Sequence, residues 1–362
     1  MAAGHRAILW SGPGPQGGRV RVALISYPML FQRVGGLQVQ VRDTLEGLRG
    51  LGVDARLFDS NSDRLNDFDI IHLFSVANGN HRVVEAARSA GVPVGVSPVL
   101  HPPWTAWDRR KAEWCERIVG RLTGWMVSTT YRQFATALQG ADRIVALGPV
   151  EKTLIAEGYG VEAAKVAIVP NGIADPFFAA DGTLFREAQG IAGPFVLSVA
   201  SVSPYKNQLG LAKALRDVDV GVVLIGECAA AQQGYLQACR DILGARLVHV
   251  APLAHDDPVL ASSYAAATVF ALPSQTEVAP ISVMEALAAG TPVVLTRNNS
   301  LGLPGDAETL AEVDPADTGA LRAAVVRLLD KPAPAERCRA VVDGMTWTAV
   351  AQKLQAIYRD LA

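Results

Sequence analysis

The sequence predicts an α/β protein made of two successive doubly wound, Rossmann-like domains. Short runs rich in Val, Ile and Leu alternate with helical patterns along the whole chain. That rhythm belongs to parallel strands joined by right-handed crossovers. It breaks once, in the turn-dense stretch Pro170-Asn171-Gly172-Ile173-Ala174-Asp175-Pro176, and then restarts. The 362 residues also exceed what one ordinary core accommodates.

Taken in order, residues 1–18 are rich in Gly and Pro and read as a flexible leader. A first domain is expected over 19–172. It opens with a strand at Val20–Ser26, followed by a helix carrying Leu37, Val41, Leu45 and Leu48 on one face. Gly50 and Gly52 stop that helix. Further strands are predicted at Ala55–Phe58, Ile70–Phe74, Val92–Ser97, Arg143–Leu147 and Val166–Val169. Residues 173–193 read as a linker region, and 194–345 as a second domain. Its strands are predicted at Phe195–Ala200, Gly221–Gly226 and Thr268–Leu272, with another starting at Pro292. Helices are expected from Gln208 and from near Ile281 to Gly290. The last segment, 346–362, is a helix with Val350, Leu354, Ile357, Tyr358 and Leu361 on one face.

Composition narrows the class. The 33 basic and 35 acidic residues leave a net charge of −2, which argues against nucleic acid as a partner. Cys115, Cys228, Cys239 and Cys338 have neither metal-ligand nor disulfide-framework spacing, which suits a reducing, cytoplasmic setting. No apolar run reaches the ~18 residues that span a bilayer. Ala7–Trp10 is too short for the core of a signal peptide.

The chemistry concentrates in Pro273-Ser274-Gln275-Thr276-Glu277-Val278-Ala279-Pro280-Ile281-Ser282-Val283-Met284-Glu285 and the following Ala286-Leu287-Ala288-Ala289-Gly290-Thr291-Pro292-Val293-Val294. An apolar strand runs into a loop holding Glu277. A helix then begins, with Glu285 one turn inside it. Helix N-termini at strand ends favour phosphate, and a nearby carboxylate can accept sugar or ribose hydroxyls. Upstream, Gly35 and Gly36 open the first helix and let a ligand approach the backbone. This turn does not match the G-x-G-x-x-G fingerprint, so a nicotinamide or flavin site is not supported there.

The Glu277–Val294 segment resembles the E-x7-E signature of retaining glycosyltransferases with the GT-B fold, family four (group 1). The resemblance covers nearly the whole chain and is most specific over 195–296. It implies a hexosyl group moved from a nucleoside-diphosphate sugar to a glycan or lipid-linked acceptor, with retention and with neither metal nor other cofactor. Glu277 would approach the donor sugar, Glu285 the ribose, and Gly35-Gly36 the phosphates. The backbone of Ile281 and Ser282 would join this donor site. The final helix would cross back onto the first domain.

Lys206 stands where the family has a Lys that stabilises the leaving diphosphate. Ser201 stands where the family has an Arg, and Ala200 where it has Gly. Arg297 or Arg33 is the expected substitute; otherwise the protein is slow or noncatalytic. Pro280 replaces a residue whose N–H the family can use toward the sugar, which puts the commonest donor sugars in question. His101, after a predicted strand, matches a family His near the donor sugar and joins Lys206 and Glu277 as a catalytic candidate. His72 echoes another family feature and reads as structural. His5, His81, His249 and His255 have no motif behind them.

Residues 104–125 interleave Trp104, Trp107, Trp114 and Trp125 with Arg109, Arg110, Lys111, Arg117 and Arg121. On a helical wheel Trp107, Trp114, Ile118, Leu122 and Trp125 share a face, edged by Arg110, Arg117 and Arg121. That pattern suits peripheral contact with an anionic membrane. The other reading is a core-packed helix with solvated arginines, which Glu113 and Glu116 favour. For the chain as a whole, the rival functions are a noncatalytic nucleotide-sugar-binding subunit and another GT-B activity such as epimerisation or phosphorolysis.

Overall fold

The computed structural model describes residues 20–32, 35–100, 105–124 and 127–362; the expected leader lies outside them. Among the described residues, strands form two six-stranded sheets. The first holds β1 (Arg21–Ile25), β2 (Asp54–Leu57), β3 (Ile70–Phe74), β4 (Val94–Ser97), β5 (Arg143–Ala146) and β6 (Val166–Ile168). Their order is β2-β1-β3-β4-β5-β6. The second holds β7 (Phe195–Val199), β8 (Gly221–Ile225), β9 (Leu247–Val250), β10 (Val269–Leu272), β11 (Val293–Thr296) and β12 (Leu310–Val313). Their order is β12-β11-β10-β7-β8-β9. The paired strands run parallel throughout. Central strands such as β3 and β10 are buried along their whole length. Helices cover both faces of such sheets, so their strands read as continuous apolar runs.

Sequence reading missed β9 and β12, the two edge strands of the second sheet. Edge strands are half covered and admit polar residues. His249 interrupts β9, and Glu312, exposed, interrupts β12. Residues 173–193, expected as a linker, carry two short helices, Asp175–Ala179 and Thr183–Gln189. Phe177 and Phe185 from them are fully buried in the core under the second sheet.

Strand order reverses beside β1 in the first sheet and beside β7 in the second. Ligands bind at such switch points, beyond the carboxyl ends of the strands. The loops after β1, β7 and β10 carry Gly35-Gly36, Lys206 and Glu277. The topology therefore brings the sequence motifs to the mouths of the two sheets.

The chain crosses between the halves at two adjacent points. Ile173 pairs with Thr346 in a parallel bridge, and its N–H donates to Met345 O at 2.9 Å. Gly172 lies so close to Trp347 that a Cβ there would fall 2.6 Å from the Trp347 amide nitrogen. The C-terminal helix Trp347–Arg359 then packs along the helix Gly36–Gly50 of the first half. Trp347, Val350, Ala351, Leu354 and Tyr358 complete the hydrophobic cluster of that half, as the apolar face of this segment implied. Tyr358 also hydrogen-bonds the buried His72, whose other ring nitrogen contacts Ser97 Oγ at 2.9 Å. Burial lowers the His72 pKa to about 3, so this histidine is a neutral structural group.

Leu354→Ala should lower the unfolding free energy by about 2–5 kcal/mol, the usual cost of emptying a buried Leu site. Urea titration followed by tryptophan fluorescence reads this. A loss below about 0.5 kcal/mol, the level of a neutral surface substitution, would show that the C-terminal helix is dispensable to the first half.

Candidate functional site

A cavity of about 360 Å³ opens between the halves. Gly35, Gly36 and Gln40 line it from the first half, and Ser201, Lys206, Glu277, Ile281, Ser282 and Glu285 from the second. The sequence-predicted donor residues therefore converge on one space. His101 and Arg33 lie outside the described residues.

Two helix N-termini face this cavity. The helix Gly36–Gly50 begins with Gly35 as an uncapped N-cap. Gln38 and Val39 donate to the Gly35 carbonyl, so the amides of Gly36 and Leu37 precede the first intrahelical bonds. A Cβ on Gly35 or Gly36 would meet nothing within 4 Å. The protein's own packing does not demand glycine here. Opposite, the helix Ile281–Ala288 starts after Pro280, and its first backbone bond is Val283 N to Pro280 O. The amides of Ile281 and Ser282 are therefore also available to an anion. Pro280, which has no N–H, fits the approach to this helix.

Lys206 is held by stitching of its loop to the Glu277 loop. Asn207, in the left-handed region at φ 58°, donates to Pro273 O at 3.0 Å and Pro315 O at 2.9 Å. The Tyr205 hydroxyl donates to Thr276 O at 2.8 Å. Glu277 in turn donates its backbone N–H to Asn298 O at 2.8 Å. Lys206 Nζ and Glu277 Oε1 come to 2.6 Å as a result. Both side chains line the cavity, so a bound anion would meet an ammonium already fixed in place.

Ser201 is exposed at the cavity wall. The substitute cation expected for it is not found at Arg297. Arg297 Nη2 pairs with Asp314 Oδ2 at 2.6 Å, is mostly exposed and does not line the cavity. It leaves β11 at the rim, and the neighbouring carboxylate after β12 captures it. Among the described residues, Lys206 is the only Lys or Arg in the cavity lining.

Glu285 is 3 % exposed, and both its oxygens are engaged. Oε1 contacts His255 Nε2 at 2.7 Å, and Oε2 accepts from the Tyr264 hydroxyl at 2.7 Å. Each carboxylate oxygen has two lone pairs, so hydroxyls of a ligand can still be accepted. His255 and Tyr264 were not singled out from sequence. His255 sits in an irregular loop after the missed strand β9, and Tyr264 in the helix Pro258–Ala266, where it looks like any core aromatic. Glu151 was missed as well. Fully buried, it accepts from Leu100 N at 2.8 Å and Leu147 N at 2.7 Å. It thereby fixes Leu147 and the neighbouring Val99, both cavity-lining residues, the latter at φ +53°. The sequence offered only a glutamate in a helical pattern there.

The helix Ala106–Thr123 is capped by Thr105 and Asp108 and closed by Gly124 in the left-handed conformation. Trp107, Trp114 and Leu122 are 60 %, 64 % and 82 % exposed. Arg110, Lys111, Arg117 and Arg121 are exposed too, and Lys111 Nζ sits 3.2 Å from the centre of the Trp107 ring. Glu116 instead turns inward to the Thr129 hydroxyl. Trp104 and Trp125 lie outside the described residues. The core-packed alternative for this helix therefore fails at Trp107, Trp114 and Leu122. Among the described residues, no helix is long and apolar enough to cross a membrane.

Residues 193–331 match the family described as glycosyl transferases group 1, and residues 2–172 match a glycosyl transferase 4-like domain. The chain is 29 % identical over 315 residues to an MMP alpha-(1->4)-mannosyltransferase of Mycolicibacterium hassiacum, covering 82 % of this chain and 71 % of that one. Sucrose-phosphate synthase from Thermosynechococcus elongatus superposes with a TM-score of 0.73 at 21 % identity, over 95 % of this chain and 99 % of that one. Anabaena HepE in complex with UDP gives 0.72 at 16 % identity, over 94 % and 100 %. At such identities the two solved structures establish the shared fold.

Proposed function

Because the chain belongs to the group 1 glycosyltransferases, with the two Rossmann-like domains of the GT-B fold, we propose that it moves a hexosyl group from a nucleoside-diphosphate sugar to a glycan or lipid-linked acceptor. The observation that carries this reading is the 2.6 Å Lys206–Glu277 pair, set between two helix N-termini that face one cavity. In the reaction proposed, the bond from the anomeric carbon to the diphosphate breaks. An acceptor hydroxyl bonds to the same face, and its proton leaves with the diphosphate. Retention is what the Glu277–Glu285 segment implies by resemblance. Lys206 and the backbone amides of Gly36, Ile281 and Ser282 meet the charge that develops on the leaving group. Glu277 orients the sugar, and Glu285 accepts the ribose hydroxyls. Pairing with Glu277 keeps Lys206 aimed before the donor arrives.

One observation favours the noncatalytic rival. Lys206 stands without a second Lys or Arg in the cavity lining among the described residues. Donor hydrolysis or transfer at a measurable rate excludes that rival.

The roles separate kinetically. Charge grows on the diphosphate only in the transition state, so Lys206→Ala should lower kcat by about 10²–10³ while donor affinity changes much less. Glu285→Ala should instead weaken free nucleoside diphosphate by about 1.5–3 kcal/mol, the value of hydrogen bonds to a charged group. Steady-state kinetics and calorimetry distinguish the two. A Lys206→Ala protein with full kcat would move the phosphate clamp elsewhere.

We propose transfer without a bound metal, with Lys206 and the helix N-termini in the role a divalent cation would otherwise fill. No group of three His, Cys, Asp or Glu converges as a metal site among the described residues. Activity should persist in excess EDTA; abolition by EDTA and rescue by Mn²⁺ would overturn this part of the reading.

We further propose that the helix Ala106–Thr123 rests on an anionic membrane and brings the cleft to a lipid-linked acceptor. Its exposed Trp and Leu side chains, edged by Arg110, Arg117 and Arg121, support this. Each basic residue near such a surface contributes about 1 kcal/mol, within a Debye length. Binding to phosphatidylglycerol-containing vesicles should be measurable at low salt and fall away at roughly 0.5 M, where screening shortens to a few ångströms. Replacing Arg110, Arg117 and Arg121 by Glu should abolish it and leave nucleotide affinity intact. A wild type that ignores such vesicles at low salt leaves a soluble acceptor as the reading.

A further inference from the structure

His255 stands between two cavities. On one side is the site just described. On the other is a second cavity of about 580 Å³, on the hinge side, lined by Ile173 and Trp347 from the two chain crossings. Its Nε2 contacts Glu285 at 2.7 Å, and its Nδ1 lies 3.7 Å from Asp43 Oδ2. Asp43 belongs to the helix Gly36–Gly50, whose first residues line the donor cavity. A chain of polar contacts therefore runs from Tyr264 through Glu285 and His255 in the second half to Asp43 in the first. Its tight joints are at 2.7 Å, and its one loose joint, at 3.7 Å, is where the halves meet.

We propose that Asp43 and His255 are positioning residues that tie the carboxylate Glu285 to the Gly36 helix, so that nucleotide capture and the approach of the two halves reinforce each other. The proposal rests on Glu285 receiving the nucleotide ribose. Asp43 does not line the donor cavity, so its effect on nucleotide affinity is indirect, and the shortest route is through His255 to Glu285. A cation held between two carboxylates is the means. With His255 protonated, Asp43 and Glu285 are drawn together and Glu285 is held toward the ligand. With His255 neutral, two carboxylates face each other across the joint.

The surroundings agree in sign. Burial opposes a charged His255, but the Glu285 hydrogen bond and the charges of Glu285, Asp43 and Asp256 outweigh it and raise its pKa above the ordinary value. Burial raises Asp43 to about 6, opposed by His255 and assisted by Glu46 and Glu285. The other charged groups on the second cavity are Arg42, beside Asp43, Asp257 at the cap of the Pro258–Ala266 helix, and Asp175. Tyr264 is pushed well above its ordinary range and stays a neutral donor. A raised histidine pKa means that the stabilisation of the joined state is complete below the ordinary value of 6.5. It is lost as pH rises through the raised value. Asp43, raised by burial only to about 6, is ionised over the range in which His255 gives up its proton, so the pair is complete at the lower end of that range and lost at the upper end.

The test uses UDP-glucose, GDP-mannose and ADP-glucose as probes, whose diphosphate diesters keep a constant charge from pH 6.5 to 9. For whichever binds, the wild-type dissociation constant should rise by about fivefold or more over that range, the low end of typical coupling between linked sites, in the direction set by a histidine that holds its proton more tightly in the joined state. Asp43→Asn should bind more weakly than wild type at pH 6.5, and as well or better at pH 9, so the two curves cross. His255→Gln, which keeps a donor to Glu285 but no charge, should give a flat profile. Parallel profiles for wild type and Asp43→Asn would overturn the proposal. If none of the probes binds wild type, the donor reading fails on its own. Small-angle scattering without ligand then decides the joint: the radius of gyration should grow with pH in wild type and stay constant in Asp43→Asn, and equal behaviour in both would overturn it.

Discussion

A carboxylate that is 3 % exposed must be answered by donors, and Glu285 is the group around which this molecule is arranged. Leaving such a charge unpaired in a low-dielectric interior costs more than most single interactions supply. Tyr264 and His255 answer it from the second half. His255, half answered by Glu285, needs a second acidic neighbour, and Asp43 supplies it from the first half. The need to satisfy one buried charge thus reaches across the cleft. It does so beside the double crossing, where Ile173 and Thr346 pair and Trp347 closes over Gly172. The crossing and the Asp43–His255 joint border the same cavity, which Ile173, Trp347, Asp43 and His255 all line.

How much of this was legible in the sequence depends on where a residue's partners lie. The central strands could be read because burial on both faces forces an unbroken apolar run, as in Ile70–Phe74 and Val269–Leu272. The edge strands β9 and β12 could not, because one flank is open and His249 or Glu312 costs little there. Within the site, Gly35-Gly36 were legible from the turn they make at the mouth of the first helix, and Lys206, Glu277 and Glu285 from the resemblance of their segments to the family's motifs. His255, Tyr264, Asp43 and Glu151 were not. Each acts through a partner about twenty or more residues distant, as in Glu151 on Leu100 and His255 on Asp43, and no local pattern encodes such a pair. Arg297 shows the converse error. Its sequence position suggested a phosphate ligand, but Asp314, on the strand-end loop beside it, takes its charge.

The cleft is sparing with positive charge. Two helix N-termini supply partial charges, and Lys206 supplies the full one, already opposed by Glu277 at 2.6 Å. That pairing has two consequences with opposite sign. It pre-orients the ammonium, so little reorganisation is needed when a diphosphate arrives. It also cancels part of the field that would attract the diphosphate from solution. A site built this way favours stabilisation of charge that develops during reaction over tight capture of charge already present. Electrostatic attraction is therefore a weak source of ground-state affinity here. On the proposed reading, polar contacts where Glu285 is held by His255 and Tyr264 carry more of it. On that reading the buried triad and the sparse charge around Lys206 are complementary: the one would fix a nucleotide, and the other would leave the ammonium to act on a leaving group.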